Sequence, residues 1–414
     1  MRPSSTPWRA RYEELAVEVQ ASAPGARPAL ISTTADVDDI YVMTAAKLRS
    51  LGLEGPRAGG LAAELAAGVS ELVAEGRDGE LFWDWPEGLQ WLGKVIGPPD
   101  RVQVGGTGPQ AAWALDVLGA PSVMALESRS RAQLCVLAPG ILICSDGRMV
   151  PAGELRADEG AVAIRNQILE FPAGNGTAGS AAGRAHRIIV RFMPIALERD
   201  EDFMAMQERL GADAGAGVLS GLNGLAVSDG TSRDWVRRLL GAWREYGPRL
   251  RHVELGDTTR PSELKTIMAD LRGFDCSLGM SLSELMSFWG GTSDVAAKAL
   301  ELAEVFQSPC VVVHADRWSL AVHRVDPVTI VRRLMTGNLL ASARAATGAP
   351  RAAVVPANGA IYSQEIPGSG PLGEGWRVDC VPAPFVAQPR STIGLGDTFT
   401  AGLLLAAGLE DLSS

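Results

Sequence analysis

From residue 186 onward, short apolar runs alternate with stretches of helical period. The runs at 187–192, 217–219, 251–255, 276–279, 309–314 and 352–355 predict strands. Between and after them, 201–210, 234–246, 262–271, 282–289, 294–306 and 401–407 predict helices. Such alternation implies a parallel sheet covered on both faces, with ligands gathering beyond the carboxyl ends of the strands.

The first half of the chain is less regular. Residues 13–20 predict a short amphipathic helix, and 28–32 an apolar strand that ends in the polar cluster Thr33 to Asp39. An alanine- and leucine-rich segment at 60–75 has helical period. A glycine turn, Gly105-Gly106-Thr107-Gly108-Pro109, leads into a helix over 110–118, followed by short strands at 122–126, 134–137 and 141–145. Residues 146–186 hold glycine-rich turns, such as 174–180, around strand-like pieces such as 161–164. That pattern suits antiparallel strands with mobile turns, either a flexible loop or a lid element.

Composition narrows the class. Of the 414 residues, 46% are hydrophobic and 21% charged, with a net charge of −10, as in ordinary globular proteins. The acidic balance argues against a nucleic-acid surface and offers nothing to an anionic membrane. Cys135, Cys144, Cys276, Cys310 and Cys380 are scattered, without Cys-x-x-Cys spacing. They read as buried thiols in a reducing compartment, with neither a zinc site nor a disulfide framework. No apolar run reaches membrane-spanning length and the first residues lack a signal-peptide core. The expectation is a soluble, cytoplasmic protein, monomer or homodimer.

The most informative stretch is Ser391-Thr392-Ile393-Gly394-Leu395-Gly396-Asp397-Thr398. Glycines spaced Gly-x-Gly let consecutive backbone N–H groups converge on an anion, and a helix behind them adds its positive end. A carboxylate at that position can take a proton from an attacking hydroxyl, which describes phosphoryl transfer to an alcohol. A tight turn with Asp397 as a helix cap is the plainer explanation. Two further groups follow the strand ends. In His252-Val253-Glu254 the period-two alternation places both polar side chains on one side. In Gly279 to Leu285, Glu284 falls one turn into a helix, where a capping box with Ser281 explains it equally well.

Taken in order, these motifs resemble the ADP-dependent glucokinase and phosphofructokinase family of the ribokinase-like superfamily. That family carries His-x-Glu, Gly-Met-Asn-x-x-Glu-Leu, a Val-His strand and Gly-x-Gly-Asp. This chain has His252 to Glu254, Gly279 to Leu285, Val312-Val313-His314 and Gly394 to Asp397. Upstream, Asp36-Val37-Asp38, Gly105-Gly106 and Leu219 to Asn223 extend the likeness over roughly residues 28–405.

The resemblance implies an α/β fold, a ribokinase-like sandwich with a central mostly parallel sheet flanked by helices and a smaller α/β lid domain. The whole chain would be one kinase unit. Lid segments would fall near 40–100 and 140–200, and the nucleotide-binding part at 205–414 with pieces near 28–39 and 100–130. Asp397 would be the general base, and the amides of Gly394, Leu395 and Gly396 the anion hole. Glu254 and Glu284 would hold Mg²⁺ through water. Asp36, Asp38, Gly105, Gly106 and Asn223 would bind the sugar. His314, Val381 and Thr392 would lie near the nucleotide.

The expected activity is Mg²⁺-dependent phosphoryl transfer from ADP to a sugar or sugar phosphate. The alternatives are ATP as donor, a specialised sugar or nucleoside as acceptor, or a weakened protein that only binds the ligands. Departures from the family pattern fall at the sugar site and lid. Asp36 and Ser281 stand where the family has asparagine, Thr107 follows the glycine pair, and Met193-Pro194 replaces an Asn-Arg pair. That last change leaves Arg191 and Arg199 as candidates for a phosphate-facing cation.

Overall fold

The computed structural model describes residues 6–52, 60–171, 186–194, 196–258, 260–291 and 294–410. The glycine-rich 174–180 segment lies outside them.

Two sheets organise the chain, one of 11 strands and one of 5. At the centre of the larger one, Cys310–His314, Ser277–Ser281, Leu250–Glu254, Ala216–Ser220, Ala29–Ser32, Ser122–Met124 and Leu142–Ser145 run parallel in that spatial order. Antiparallel strands close both edges: Trp318–His323, Trp376–Pro382 and Gly370–Gly373 on one side, Arg148–Pro151 on the other.

The continuous apolar run Val311-Val312-Val313 follows from burial on both faces. Val312 joins a core with Ile31, Leu115, Leu339 and Leu404. Val311 and Val313 join another with Leu30, Leu239, Trp243 and Leu302. Helices on each face therefore find an apolar sheet surface, as expected for a doubly covered parallel sheet.

The smaller sheet runs Gly79–Phe82, His186–Arg191, Arg165–Phe171, Asp36–Val42 and Arg101–Gly105. Its outer face, with Tyr41, Leu169, Phe171, Ile188 and Val190, packs under Leu65, Val69, Leu72 and Leu92 of helices Leu61–Glu75 and Gly88–Ile96. Its inner face carries Asp36, Asp38 and Asn166 beside Ile40, Ile168 and Ile189, and meets the 391–393 segment. This is the α/β sandwich with a smaller layer that the sequence predicts.

Several boundaries differ. Residues 134–136 lie in helix Arg131–Val136, which starts with a capping box between Ser130 and Gln133, and Leu137 is its C-cap. Residues 352–355 form no strand. Residues 36–42 and 101–105 belong to the small sheet, whereas 142–151 belong to the large one. Asp36 and Asp38 fall on the inner face and Asp39 on the outer one beside Arg165 and Gln167, so the strand reads as a polar cluster.

Candidate active site

Helix Leu395–Leu409 begins at Gly394, whose φ of 72° is left-handed. A side chain there would be excluded twice, because a Cβ on Gly394 would come 2.2 Å from Nη2 of Arg344. Leu395 and Gly396 remain partly exposed at the first turn, where amides without intrahelical partners suit an anion. Asp397 lies in that same turn and takes a hydrogen bond from Thr107. Burial pushes its carboxyl above the usual range; Arg344 and Arg187 pull the other way.

The neighbouring strand ends add a second cluster. Glu254 is buried, and its two oxygens each meet an imidazole: Nε2 of His252 at 2.8 Å and Nε2 of His314 at 3.3 Å. Burial alone would raise its pKa, but the two histidines outweigh burial and bring it to about 2. Gly279 opposite makes room for this pair, since a Cβ there would lie 2.2 Å from Oε2 of Glu254.

Glu284 accepts from the Ser281 backbone N–H at 2.6 Å while the Ser281 hydroxyl caps the Glu284 N–H. The capping box is thus present. Burial raises Glu284 to about 7, with His314 opposing. Burial disfavours protonation of His314, yet Glu254, Glu284 and Asp397 together raise its pKa. His314 also lies against Gly396 and packs tilted on Phe399, with ring centroids 4.9 Å apart. It therefore connects the Glu254–Glu284 pair with the turn at Gly394 to Asp397.

Across from Asp397, the inner face of the small sheet carries Asp36 and Asp38. The Asn166 amide donates to both, at 3.2 and 2.9 Å. Burial raises both carboxyls, Asp38 to about 7 with Asp36 adding to the rise. The glycine pair provides backbone room: a Cβ on Gly105 would meet Asp38, and one on Gly106 (φ 85°) would meet the Thr34 carbonyl. Around these carboxylates Asp36 Oδ1, Asn166 Oδ1, Gln103 Nε2 and Arg191 Nε are buried without a hydrogen-bond partner. Two acceptors and two donors left unpaired on one strand row match a polyhydroxyl ligand, whose hydroxyls both donate and accept.

The two layers meet at the turn before helix Leu395–Leu409. Ile393 packs among Ile40, Ile168 and Ile189. Ser391 donates to Oε1 of Glu170 at 3.0 Å, and Arg187 donates to the Thr392 carbonyl at 3.1 Å.

Not every expected residue converges. Val381 is buried in the core opposite Ser319. Asn223 donates its amide to the Asp257 carbonyl at 2.7 Å. Thr392 belongs to the turn, and its buried hydroxyl oxygen has no partner. Arg191 pairs with Glu80 at 3.2 Å and Arg199 with Glu127 at 3.7 Å, so Arg187 is the small-sheet arginine at the turn. Arg187, Asn166, Gln103 and Arg344 escaped the sequence reading; alternation from Arg191 along its strand would have marked Arg187 as facing the same side.

The sequence matches no family model and no curated protein. The fold does match solved structures over nearly its whole length. An ADP-dependent kinase complexed with fructose-6-phosphate and ADPβS is similar at TM-score 0.80 and 18% identity, covering 98% of this chain and 99% of the other. A reconstructed last common ancestor of ADP-dependent phosphofructokinases from Methanosarcinales is similar at TM-score 0.71 and 18% identity, covering 98% and 99%. A phosphofructokinase from Pyrococcus horikoshii OT3 with AMP is similar at TM-score 0.70 and 18% identity, covering 94% and 99%. The chain has the ribokinase-like α/β fold of ADP-dependent kinases.

Proposed function

We propose that this protein transfers a phosphoryl group from ADP to a hydroxyl of a sugar or sugar phosphate. The observation that carries the proposal is Asp397, set in the first turn of an anion-binding helix and facing an unsaturated polar row on the opposing sheet. The similar structures with fructose-6-phosphate, ADPβS and AMP support the same ligand classes.

The acceptor would lie on Asp36, Asp38, Asn166 and Gln103. Asp397 would take the proton of the attacking hydroxyl, its raised pKa helping it to hold that proton. The amides at Gly394 to Gly396 would stabilise charge on the group in transfer. The small sheet over the turn would exclude water, which competes as acceptor.

Among the described residues no group of three or more His, Cys, Asp or Glu side chains is set to hold a metal ion. Glu254 and Glu284 nevertheless fit a hydrated ion, because each carboxylate oxygen that accepts one hydrogen bond can accept a second. Mg²⁺ held there would neutralise phosphate charge.

The test is a donor-by-acceptor matrix, with ADP, ATP and AMP set against glucose, fructose 6-phosphate and related sugars, and thermal shift in parallel. Transfer from ADP to one acceptor establishes the proposal. Binding without transfer under any pairing would leave a binding protein.

A further inference from the structure

We propose that Arg344 is a positioning residue of the anion-binding turn: a buried guanidinium behind Gly394 that balances the Asp397 carboxylate and an arriving phosphoryl group. This deepens the phosphoryl-transfer reading and rests on it.

Arg344 lies near the end of helix Pro327–Thr347 and is 2% exposed. Its Nη1 donates to the Thr398 hydroxyl at 2.8 Å and its Nη2 to Oε1 of Gln110 at 2.7 Å. Both partners are neutral. Its Nε has no partner, and the Trp113 ring lies 5.4 Å away. No ion pair to Arg344 occurs among the described residues. An uncompensated buried charge is costly unless an opposite charge arrives to meet it. Asp397 is the first carboxylate to favour its charge and Asp38 the next, with Arg187 opposing.

The geometry ties this charge to the turn. Thr398 accepts from Arg344 and donates its own hydroxyl to the Gly394 carbonyl at 2.7 Å. Gln110 belongs to helix Thr107–Val117, whose first residue, Thr107, bonds Asp397. Arg344 therefore joins the starts of the two helices that frame the base. Gly394 lacks a side chain where the guanidinium lies. A brace alone needs only hydrogen bonds, and a neutral side chain could supply them; a buried cation with neutral partners points to an anionic ligand.

The experiment compares Arg344→Gln and Arg344→Lys with the parent protein, using pyrophosphate as the anion probe. The readouts are thermal shift, the kcat against KM split, and the acid limb of the kcat–pH profile. That limb reports Asp397 as set by Arg344, Arg187 and His314 on one side and Glu254 and Asp38 on the other.

Arg344→Gln is expected to lose pyrophosphate protection and about 10²-fold or more in kcat. The acceptor KM should stay within about threefold, and the acid limb should move to higher pH. Arg344→Lys should restore the limb and part of kcat. A folded Gln variant with the parent's limb and pyrophosphate response overturns the proposal. If neither Arg344 variant folds, Thr398→Val decides. It removes one bond and keeps the charge, so an unmoved limb supports the proposal and a raised limb reduces Arg344 to a brace. A parent inactive across the whole matrix, yet protected by pyrophosphate through Arg344, would sink the kinase reading and spare the anion site.

Discussion

The carboxylates of Asp36 and Asp38 share a single amide, that of Asn166, which reaches Oδ2 of the first at 3.2 Å and Oδ1 of the second at 2.9 Å. Two buried acids on one strand face cannot both hold full charge cheaply. The neutral amide of Asn166 relieves them only in part, and the nearby cation, Arg191, is also committed to Glu80.

This pair predicts the direction of the pH dependence. Asp38 is raised to about 7, by burial first and by Asp36 next. A carboxyl whose folded pKa exceeds its unfolded one binds more protons when folded, so its contribution is complete below about pH 4 and lost as pH rises through 7. The ligand-free protein should melt at progressively lower temperature between pH 5 and 8, and Asp38→Asn should flatten that slope. Parallel melting curves for parent and variant would show that Asp38 does not titrate there.

Asp397→Asn should lower turnover by about 10² to 10⁴, the range for a lost general base. Nucleotide affinity should change little, because the turn's amides and Gly394 are untouched. Near-normal steady-state turnover would refute the assignment of Asp397 as base and leave it as a helix-cap residue.

The alternation of strands and helices between 201 and 314 was readable because most of its strands are apolar and its long helices bury one face. The Gly394-Leu395-Gly396-Asp397 turn stood out because paired glycines with an aspartate mark a helix start, and the helix does begin at Leu395. The inner face of the small sheet did not. Asp36–Val42 breaks the alternation, with Asp38 and Asp39 consecutive and Asp39 bonded by Arg165 and Gln167 on the opposite face, so it resembles a polar loop. Arg344 was hidden for a different reason. Its helix buries Thr336, Gly337, Asn338 and Ser342 as well as Leu334 and Leu339, and burial on several faces erases the 3.6-residue period. The cap Asp326-Pro327 and Gly348 were the remaining signals of that helix.

Glu254→Gln and Glu284→Gln should each raise the Mg²⁺ concentration needed for half-maximal activity, if both carboxylates face the hydrated ion. The two substitutions should differ in stability. Glu254 carries charged hydrogen bonds from two imidazoles, so its loss should cost about 1.5–3 kcal/mol. Glu284→Gln can keep the capping box, since glutamine also accepts from the Ser281 N–H. Magnesium titrations of both variants that overlay the parent would make these residues structural.

The last prediction concerns the contact between the layers. Ser391 to Glu170, Arg187 to the Thr392 carbonyl and Ile393 among Ile40, Ile168 and Ile189 join the small sheet to the turn that would hold the phosphoryl group. If the small sheet closes over bound ligands, these contacts are made in the closed form and broken in the open one, and ligands that favour closure shift the balance. Sugar and nucleotide together should then increase hydrogen-exchange protection of strand Arg165–Phe171 more than either alone. Ser391→Ala with Arg187→Gln should weaken that synergy and lower kcat by about tenfold, through poorer exclusion of water. Excess hydrolysis of the donor without acceptor phosphorylation would be the accompanying signature. Protection of residues 165–171 that is unchanged by the ligand pair would mean that the small sheet is a fixed wall of the site.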